Sequence, residues 1–431
     1  MNYNINSKES IINYAKKLIG KTLRQSCNDT IPLDSFSGKG KFGQLLEKYY
    51  FDYNPNSNSE PDFKEAGLEL KSSPIKKLKN GKIRSKERVV LNIINFEKVY
   101  SENFSSSSFW KKNAQLLFVF YLYEKDKKVI DYNINLVDKW VFTEEDLKII
   151  ESDWSFINKK INEGKAHELS EGSTLYLGAC TKGGKGGNPR TQPFSKVKAK
   201  QRAYSLKQGY VNHIINVISS KNDSSISTDD KNLHRLIPNS KILDKYNGLE
   251  QYVLSMFNPF LDKTPDQILD SLGIELNSNA KNYFSSITKS ILKVDINKNI
   301  EEFSKADIEI KTIRLKENGL PKEDISFPSF KYSKIIKEDF EESDFYKRIN
   351  KKFLFIFFQF QGDELYLKSV KFWNMPNQDI LECKKVWDKT VQNIKNGDIV
   401  KSITNKGIRK TFFPNKKYNS VSHVRPHAKN K

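Results

Sequence analysis

The sequence is poor in the residue types that crosslink secreted proteins or bind soft metals. Only three cysteines occur among 431 residues, and they are far apart, at Cys27, Cys180 and Cys383. This excludes a disulfide framework and a cysteine-rich zinc site, and it favours a reducing compartment. The five histidines show no metal-ligand spacing, and GGKGG at 183–187 lacks the glycine-to-lysine spacing of a nucleotide-binding P-loop.

Long hydrophobic runs are also missing. The most apolar stretches, at 116–123 and 353–358, are too short to span a bilayer and are typical of buried strands. The start, MNYNINSKES, has no apolar segment of the kind found in signal peptides. We therefore expect a soluble cytoplasmic protein with no membrane partner.

Acidic residues are too few to balance the basic ones. There are 73 Lys and Arg against 52 Asp and Glu, which leaves a net charge of +21. Hydrophobic residues make up 37% of the chain, enough to build cores, so a disordered polycation is excluded. The surplus favours a polyanionic partner such as nucleic acid, although a lysine-rich solvated surface is the alternative.

The chain is expected to form two related domains. A polar segment at 219–232 resembles a linker, which predicts a first domain over 1–218, a linker over 219–240 and a second domain over 241–431. Each half has an acid-x6-acid-x-Lys segment followed by an aromatic strand that two lysines precede. Superposing the halves aligns Asp62, Glu69 and Lys71 with Glu302, Glu309 and Lys311. Duplication of one α/β domain is the economical explanation, and coincidence is the alternative.

Periodicity predicts mixed sheets flanked by helices in both halves. Residues 38–53 are helix-like, and residues 143–161 have apolar side chains at helical spacing after a Thr143 cap. Residues 377–394 form the counterpart in the second half. Trp154 and Trp387 are expected to lie in the cores.

The segment from Asp62 to Lys71 is the candidate active site. Glu69 and Lys71 are two residues apart, so on a strand their side chains share one face, and Gly67 permits a turn that returns Asp62 to Glu69. Two carboxylates so placed can hold Mg²⁺, and Glu47 on the preceding helix supplies a third. Such a metal could activate water for phosphodiester hydrolysis beside Lys71. An exposed strand of alternating charge remains the alternative.

Basic residues cluster late in each half, where they could contact phosphates. The first cluster spans 181–207, and the second is the C-terminal tail. The cationic positions are Lys182, Lys185, Arg190, Lys196, Lys198, Lys200, Arg202 and Lys207 in the first cluster, and Arg425, His427 and Lys429 in the tail. A solvated loop and a frayed tail are the alternatives.

These segments together resemble the MutH-like, GATC-cutting type II restriction endonucleases that have two MutH-type domains. The resemblance covers nearly the whole chain. It rests on KGKFGQLLE (39–47), PDFKEAGLELKSSP (61–74), DWSFINKKI (153–161), LYLGACTKGGKGG (175–187), QRAYSLKQGYVNHII (201–215), EEFSKADIEIKTIR (301–314), ISFPSFKYSKIIKEDF (325–340), VKFWNMPNQDI (370–380) and HVRPHAK (423–429).

The resemblance implies roles for individual residues. Asp62, Glu69 and Lys71 match the catalytic triad, with Glu47 as the helix carboxylate at the metal site and Lys112 as a further lysine. The remaining matches concern DNA: the pair Lys39-Gly40 matches a DNA-contacting loop, Lys182 and the Arg425-Pro426-His427 segment match a base-reading loop, and Ser205 replaces a tyrosine associated with methylation sensing.

The resemblance also implies a function. We expect a Mg²⁺-dependent enzyme with two restriction-endonuclease-like domains that cuts double-stranded DNA at GATC, with a cognate methyltransferase in the same system. The second domain is expected to bind a second site and regulate cleavage, in a monomer that could pair on DNA. In the second domain, Glu302 stands at the position of Asp62 and is a longer first ligand, and Asp307 stands at the position of Gly67. A non-catalytic DNA-binding protein and a strand-specific repair nickase are the alternatives.

Overall fold

The chain divides into two compact units in a computed structural model. The model describes residues 2–28, 31–32, 40–56, 58–183, 188–221, 232–327, 329–398, 401–403 and 409–425. The first unit comprises Met1–His167, Thr174–Asn258 and Leu276–Ile308, and the second comprises Glu168–Ser173, Pro259–Glu275 and Glu309–Lys431. Residues 222–231 of the predicted linker lie outside the described residues, and the domain boundaries at 218 and 241 stay predictions.

The helices and strands follow one another along the whole chain. The helices are α1 Lys8–Lys16, α2 Leu23–Ser26, α3 Lys41–Leu45, α4 Phe96–Val99, α5 Ser108–Asn113, α6 Glu144–Asn162, α7 Gln208–Lys221, α8 Lys241–Tyr246, α9 Leu249–Phe257, α10 Pro265–Leu272, α11 Tyr283–Ile291, α12 Glu301–Ala306, α13 Tyr332–Ile335, α14 Asp344–Ile349 and α15 Asn377–Lys395. The strands are β1 Glu69–Lys77, β2 Ile83–Ser85, β3 Val89–Ile93, β4 Gln115–Leu122, β5 Ile134–Val141, β6 Leu177–Thr181, β7 Arg190–Gln192, β8 Ser195–Ala199, β9 Arg202–Leu206, β10 Leu233–His234, β11 Asn299–Ile300, β12 Glu309–Leu315, β13 Lys352–Gln361, β14 Glu364–Asn374, β15 Lys401–Ile403 and β16 Arg409–Thr411.

The first unit is built on a mixed four-stranded sheet in the order β2-β1-β4-β5. Strand β1 runs antiparallel to β2 and parallel to β4, and β4 runs antiparallel to β5. The uncharged, apolar sequence of β4 suits its central, buried position. A second antiparallel sheet has the order β3-β9-β6, and β7 and β8 form a separate hairpin.

Helix α6 has the predicted cap, because the Thr143 side chain accepts a hydrogen bond from Asp146 N. It buries Trp154, as expected. None of the helices in the described part of the chain has the length and apolar character that crossing a bilayer requires.

The second unit repeats the central strand arrangement of the first. Strand β12 runs parallel to β13, and β13 runs antiparallel to β14. Glu309 lies opposite Phe353 just as Glu69 lies opposite Leu116. Helix α15 buries Trp387 in a core with Ile380 and Phe340. The prediction of mixed sheets flanked by helices is confirmed.

Candidate active site

A tight turn brings Asp62 back beside Glu69, where strand β1 begins. Phe63 N donates to Leu68 O at 3.0 Å, and Leu68 N donates to Phe63 O at 3.2 Å. Gly67 closes the turn with φ +60°, a left-handed conformation that glycine adopts without a Cβ clash. The turn predicted from the glycine is therefore present.

The two acids and two lysines of the predicted site form one connected group. Asp62 N donates to Glu69 Oε2 at 3.0 Å, and Leu70 N donates to Asp62 Oδ2 at 3.0 Å. Lys71 Nζ lies 2.6 Å from Glu69 Oε1, and Lys112 Nζ lies 3.6 Å from the same oxygen. Lys112 also donates to the main-chain oxygen of Asn58 at 2.6 Å. Glu69 is buried, so its negative charge depends on these two cations.

Glu47 lies near this group on a π-helical turn, Leu46–Tyr50, that continues α3. Such turns occur frequently at functional sites. Burial raises the pKa of Glu47 to about 7, with Glu69 raising it further while Lys71 lowers it. Burial likewise raises the pKa of Asp62 to about 7, again with a contribution from Glu69. The site thus concentrates negative charge that a bound cation would stabilise.

Tyr53 is a site residue that sequence reasoning missed. Its hydroxyl is buried without a hydrogen-bond partner among the described residues, and its ring packs edge-on against Phe63. Burial raises the pKa of Tyr53 far above its usual range, and the carboxylates of Asp62 and Glu47 raise it further. The sequence FDY carries no recognisable motif. Only the position of Tyr53 just after the π turn points to a role at the site.

The carboxylates do not form a complete metal cage. Within the described residues, no three His, Cys, Asp or Glu side chains are grouped closely enough to hold an ion. The assignment of Asp62, Glu69 and Glu47 as metal ligands stays a prediction. Asp62 and Glu69 still fit Mg²⁺, because this ion keeps several waters and usually binds through one or two carboxylates.

Three residues predicted to contact DNA have buried side chains in this structure, so their contact with DNA stays a prediction. Arg202 is buried and donates to Ala179 O at 3.1 Å. Lys207 is buried and donates to the main-chain oxygen of Thr174. Ser205 is buried on β9. All five residues of the central strand β9 are buried, so its side chains pack against neighbours on both faces.

Other predicted DNA contacts are exposed. Lys182 and Arg190 are exposed at the two ends of the loop after β6, and Gly40 is exposed at the start of α3. Arg425 is exposed in the second unit, 3.6 Å from Asp324. Lys39, Lys185 and His427 lie outside the described residues.

The second acid-x6-acid-x-Lys segment uses its acids differently. The Glu302 carboxylate, which corresponds to Asp62, is buried in the first unit and accepts hydrogen bonds from Leu236 N and Ile237 N. Glu309 lies in the second unit, paired with Lys311 at 2.8 Å and Arg348 at 2.9 Å. The first acid of this copy is therefore already engaged by main-chain donors.

Comparison with known proteins places these segments in a nuclease class. The family model described as DNA mismatch repair enzyme MutH matches two separate stretches, residues 51–153 and 292–385. The first contains Asp62, Glu69, Lys71 and Lys112, and the second contains the corresponding segment of the other half. The chain is therefore a protein of the MutH class, with one MutH-type segment in each half.

Sequence identity to individual proteins defines the family within this class. The chain is 36% identical to the type II restriction enzyme Sau3AI of Staphylococcus aureus, over 457 aligned residues that cover 99% of this chain and 88% of that enzyme. It therefore belongs to the family of MutH-like type II restriction enzymes and is a site-specific endonuclease, as the resemblance predicted. The MutH proteins of two Vibrio vulnificus strains, YJ016 and CMCP6, are each 26% identical over 157 residues, which is 36% of this chain and 67% of MutH.

Proposed function

We propose that this chain is a Mg²⁺-dependent type II restriction endonuclease that hydrolyses both strands of duplex DNA at GATC. The observation that carries the proposal is the convergence of Asp62, Glu69 and Lys71 at one end of β1, inside a MutH-matching segment. GATC is proposed from the family resemblance. A cognate DNA methyltransferase would protect the host sites.

Each residue of the site has its own role in the proposed reaction. Asp62 and Glu69 would hold the Mg²⁺, which would polarise a phosphodiester oxygen and lower the pKa of a bound water. Lys71, held 2.6 Å from Glu69, stabilises the negative charge that develops on the phosphate. Glu47 adds negative charge nearby, and Lys112, anchored on Asn58 O, keeps Glu69 in place.

The first experiment compares the two equivalent lysines, Lys71 and Lys311. Plasmid DNA with GATC sites is incubated with Mg²⁺ and each purified full-length protein. Lys71→Ala should cut at least about 10²–10³-fold more slowly, the range for losing one charge-stabilising group, while DNA affinity stays within a few-fold of wild type. Lys311→Ala, at the same position of the second copy, should still cut. Wild-type cleavage by Lys71→Ala would refute the assignment of the site.

The same assay separates the proposal from its alternatives. Linear products from unmethylated GATC plasmid, with ends mapping to GATC, support a restriction enzyme. Accumulation of nicked circles alone would favour a strand-specific nickase. Binding without Mg²⁺-dependent cleavage would favour a non-catalytic DNA-binding protein. Methylated plasmid tests whether protection by a methyltransferase operates.

We further propose that the second half, residues 241–431, binds a second DNA site and regulates cleavage by the first half, residues 1–218. Both oxygens of the Glu302 carboxylate accept main-chain hydrogen bonds from Leu236 and Ile237, whereas the corresponding Asp62 accepts one such bond, on Oδ2. This difference supports a non-catalytic role, because a metal ligand needs free lone pairs. We expect a monomer in solution that pairs on DNA. A two-site plasmid should be cut faster than a one-site plasmid, and Arg425→Ala should reduce that advantage. Equal rates on both plasmids would contradict the regulatory role.

A further inference from the structure

We propose that the β7–β8 hairpin, residues 190–199, presses Phe194 as an apolar wedge against a base step of the bound duplex. This inference rests on the proposed function and adds to it the residue that deforms the DNA. Proteins that bend DNA commonly insert an apolar side chain between neighbouring base pairs.

Phe194 is displayed at the tip of the hairpin. It is 70% exposed, more than any other large apolar side chain in the described residues, and Val197 beside it is 53% exposed. Its ring meets Tyr100 edge-on at 5.5 Å, and Tyr100 is itself partly exposed. Phe194 and Tyr100, which lies on another segment, thus form an exposed aromatic pair, and exposed apolar patches mark contact surfaces.

The backbone of Phe194 is held in an uncommon conformation. Gln192 pairs with Ser195, so Pro193 and Phe194 form a two-residue turn, in which Phe194 has φ +60°. The residue after proline in such a turn is usually glycine or asparagine, because a Cβ is unfavourable there. A phenylalanine therefore costs stability at this position, and retained strain of this kind points to function.

The hairpin is anchored to the body of the first unit. The buried Gln192 amide accepts a hydrogen bond from Ala166 N at 2.7 Å, and its nitrogen donates to Val197 O at 2.5 Å and contacts His167 at 3.1 Å. These bonds fix the hairpin directly beside its turn, so the tip is preorganised for binding.

The charge around the tip fits a nucleic acid. No Asp or Glu occurs between Glu171 and Asp223, and the exposed lysines of this stretch include Lys196 and Lys198. These two are two residues apart on β8, so they share one face of the hairpin. Cations beside an exposed aromatic ring favour phosphates and bases over a protein partner.

The location of the hairpin also fits this role. Thr181 at the end of β6 pairs with Arg202 at the start of β9, and Lys182 N donates to Gln201 O at 2.9 Å. The hairpin therefore rises from the same end of the sheet as Lys182, the residue proposed to contact bases.

The test replaces Phe194 without disturbing the turn. Phe194→Gly removes the ring and suits the positive φ, so its melting temperature should equal or exceed that of wild type. Its affinity for a GATC duplex should fall roughly tenfold to a hundredfold, as for loss of one aromatic–base contact. Phe194→Trp should retain most affinity, and Phe156→Ala, which removes an exposed ring from α6, should match wild type.

Fluorescence of 2-aminopurine, placed at successive positions in and around GATC, detects unstacking directly. With the Lys71→Ala protein, which binds without cutting, one position should brighten, and adding Phe194→Gly should abolish that signal. A Phe194→Gly enzyme that binds and cuts like wild type, or that changes only self-association, would overturn the wedge alone. A wild-type protein that neither binds nor cuts DNA would overturn the proposed function as well.

Discussion

Lys305 carries the positive charge of a buried ion cluster in the first unit, and Lys305→Met should destabilise that unit strongly. Its Nζ lies 3.0 Å from Asp146 Oδ1 and 2.7 Å from Glu301 Oε1. Tyr210 donates to Asp146 Oδ2 at 2.9 Å. Burial lowers the pKa of Lys305, but the carboxylates of Asp146 and Glu301 outweigh it and leave that pKa above its usual value.

The size of the expected loss of stability follows from the burial of Asp146, which is only 2% exposed. Without Lys305, this carboxylate keeps the Tyr210 hydroxyl but loses its cation. Removing one partner of a buried pair costs about 3–5 kcal/mol, because the remaining charge is left uncompensated. Lys148→Met is the matched control, because Lys148 is on α6, the helix that carries Asp146, and pairs with the exposed Asp244. A surface pair of that kind contributes about 0.2–1 kcal/mol.

Urea unfolding followed by tryptophan fluorescence measures the difference, since Trp140 lies 6.1 Å from the Tyr210 ring. We expect a large loss of free energy of unfolding for Lys305→Met and a small one for Lys148→Met. Adding Asp146→Asn to Lys305→Met should restore part of the stability, because it removes the unpaired charge. Equal losses for the two single variants would refute the reasoning.

Three further predictions concern packing, pH and the site. Gly209→Ala should lower the free energy of unfolding in urea by roughly 1–3 kcal/mol or more, because a Cβ at this position would lie 2.1 Å from Ser304 O. An unchanged free energy of unfolding would contradict this close approach. Burial lowers the pKa of His213 from 6.5 to about 4, so protonation favours the unfolded chain and stability falls as the pH drops from 6.5 to 4, by roughly 3 kcal/mol. His213→Phe should flatten that pH dependence, and an unaltered curve would exclude His213 as its source. Lys112→Met should lower kcat in plasmid cleavage at least about tenfold, whereas Arg348→Met, which removes the corresponding cation beside Glu309 in the second unit, should leave kcat within a few-fold; equal effects would indicate a purely structural role.

The ion cluster also affects how the second half should be tested. Helices α11 and α12 belong to the first unit, and Lys305 and Glu302 of α12 bond to residues of that unit. Deleting everything after about residue 240 would therefore expose part of the first core. Point variants such as Arg425→Ala avoid that loss and report on regulation alone.

Local spacing predicted much of the candidate site. The two-residue spacing of Glu69 and Lys71 predicted a shared strand face, and the structure has their charged groups 2.6 Å apart. Gly67 predicted the turn that returns Asp62, and Thr143 predicted the cap of α6. These features depend on a few neighbouring residues, so a single sequence contains the information they need.

Exposure of the basic residues could not be predicted in the same way. Arg190 and Arg202 occur in one basic stretch, yet Arg190 is exposed and Arg202 bonds to Ala179 O inside a sheet. Tyr53 lies near the carboxylates of Asp62 and Glu47 because its ring packs against Phe63, a residue of the distant turn that carries Asp62. In each case the deciding neighbours lie on other elements.

The sequence by itself determined the class of the enzyme, its duplicated α/β plan and the local geometry of Asp62, Glu69 and Lys71. The class follows from the resemblance of the collinear segments, whereas the α/β plan and the local geometry follow from hydrophobic period and side-chain direction, which are properties of each element alone. Only the tertiary structure decided that the Glu302 carboxylate accepts hydrogen bonds from main-chain donors some 65 residues earlier in the chain. The corresponding Asp62 instead lies beside Glu69. Burial and hydrogen bonding depend on which distant segments meet, and that is settled when the units pack.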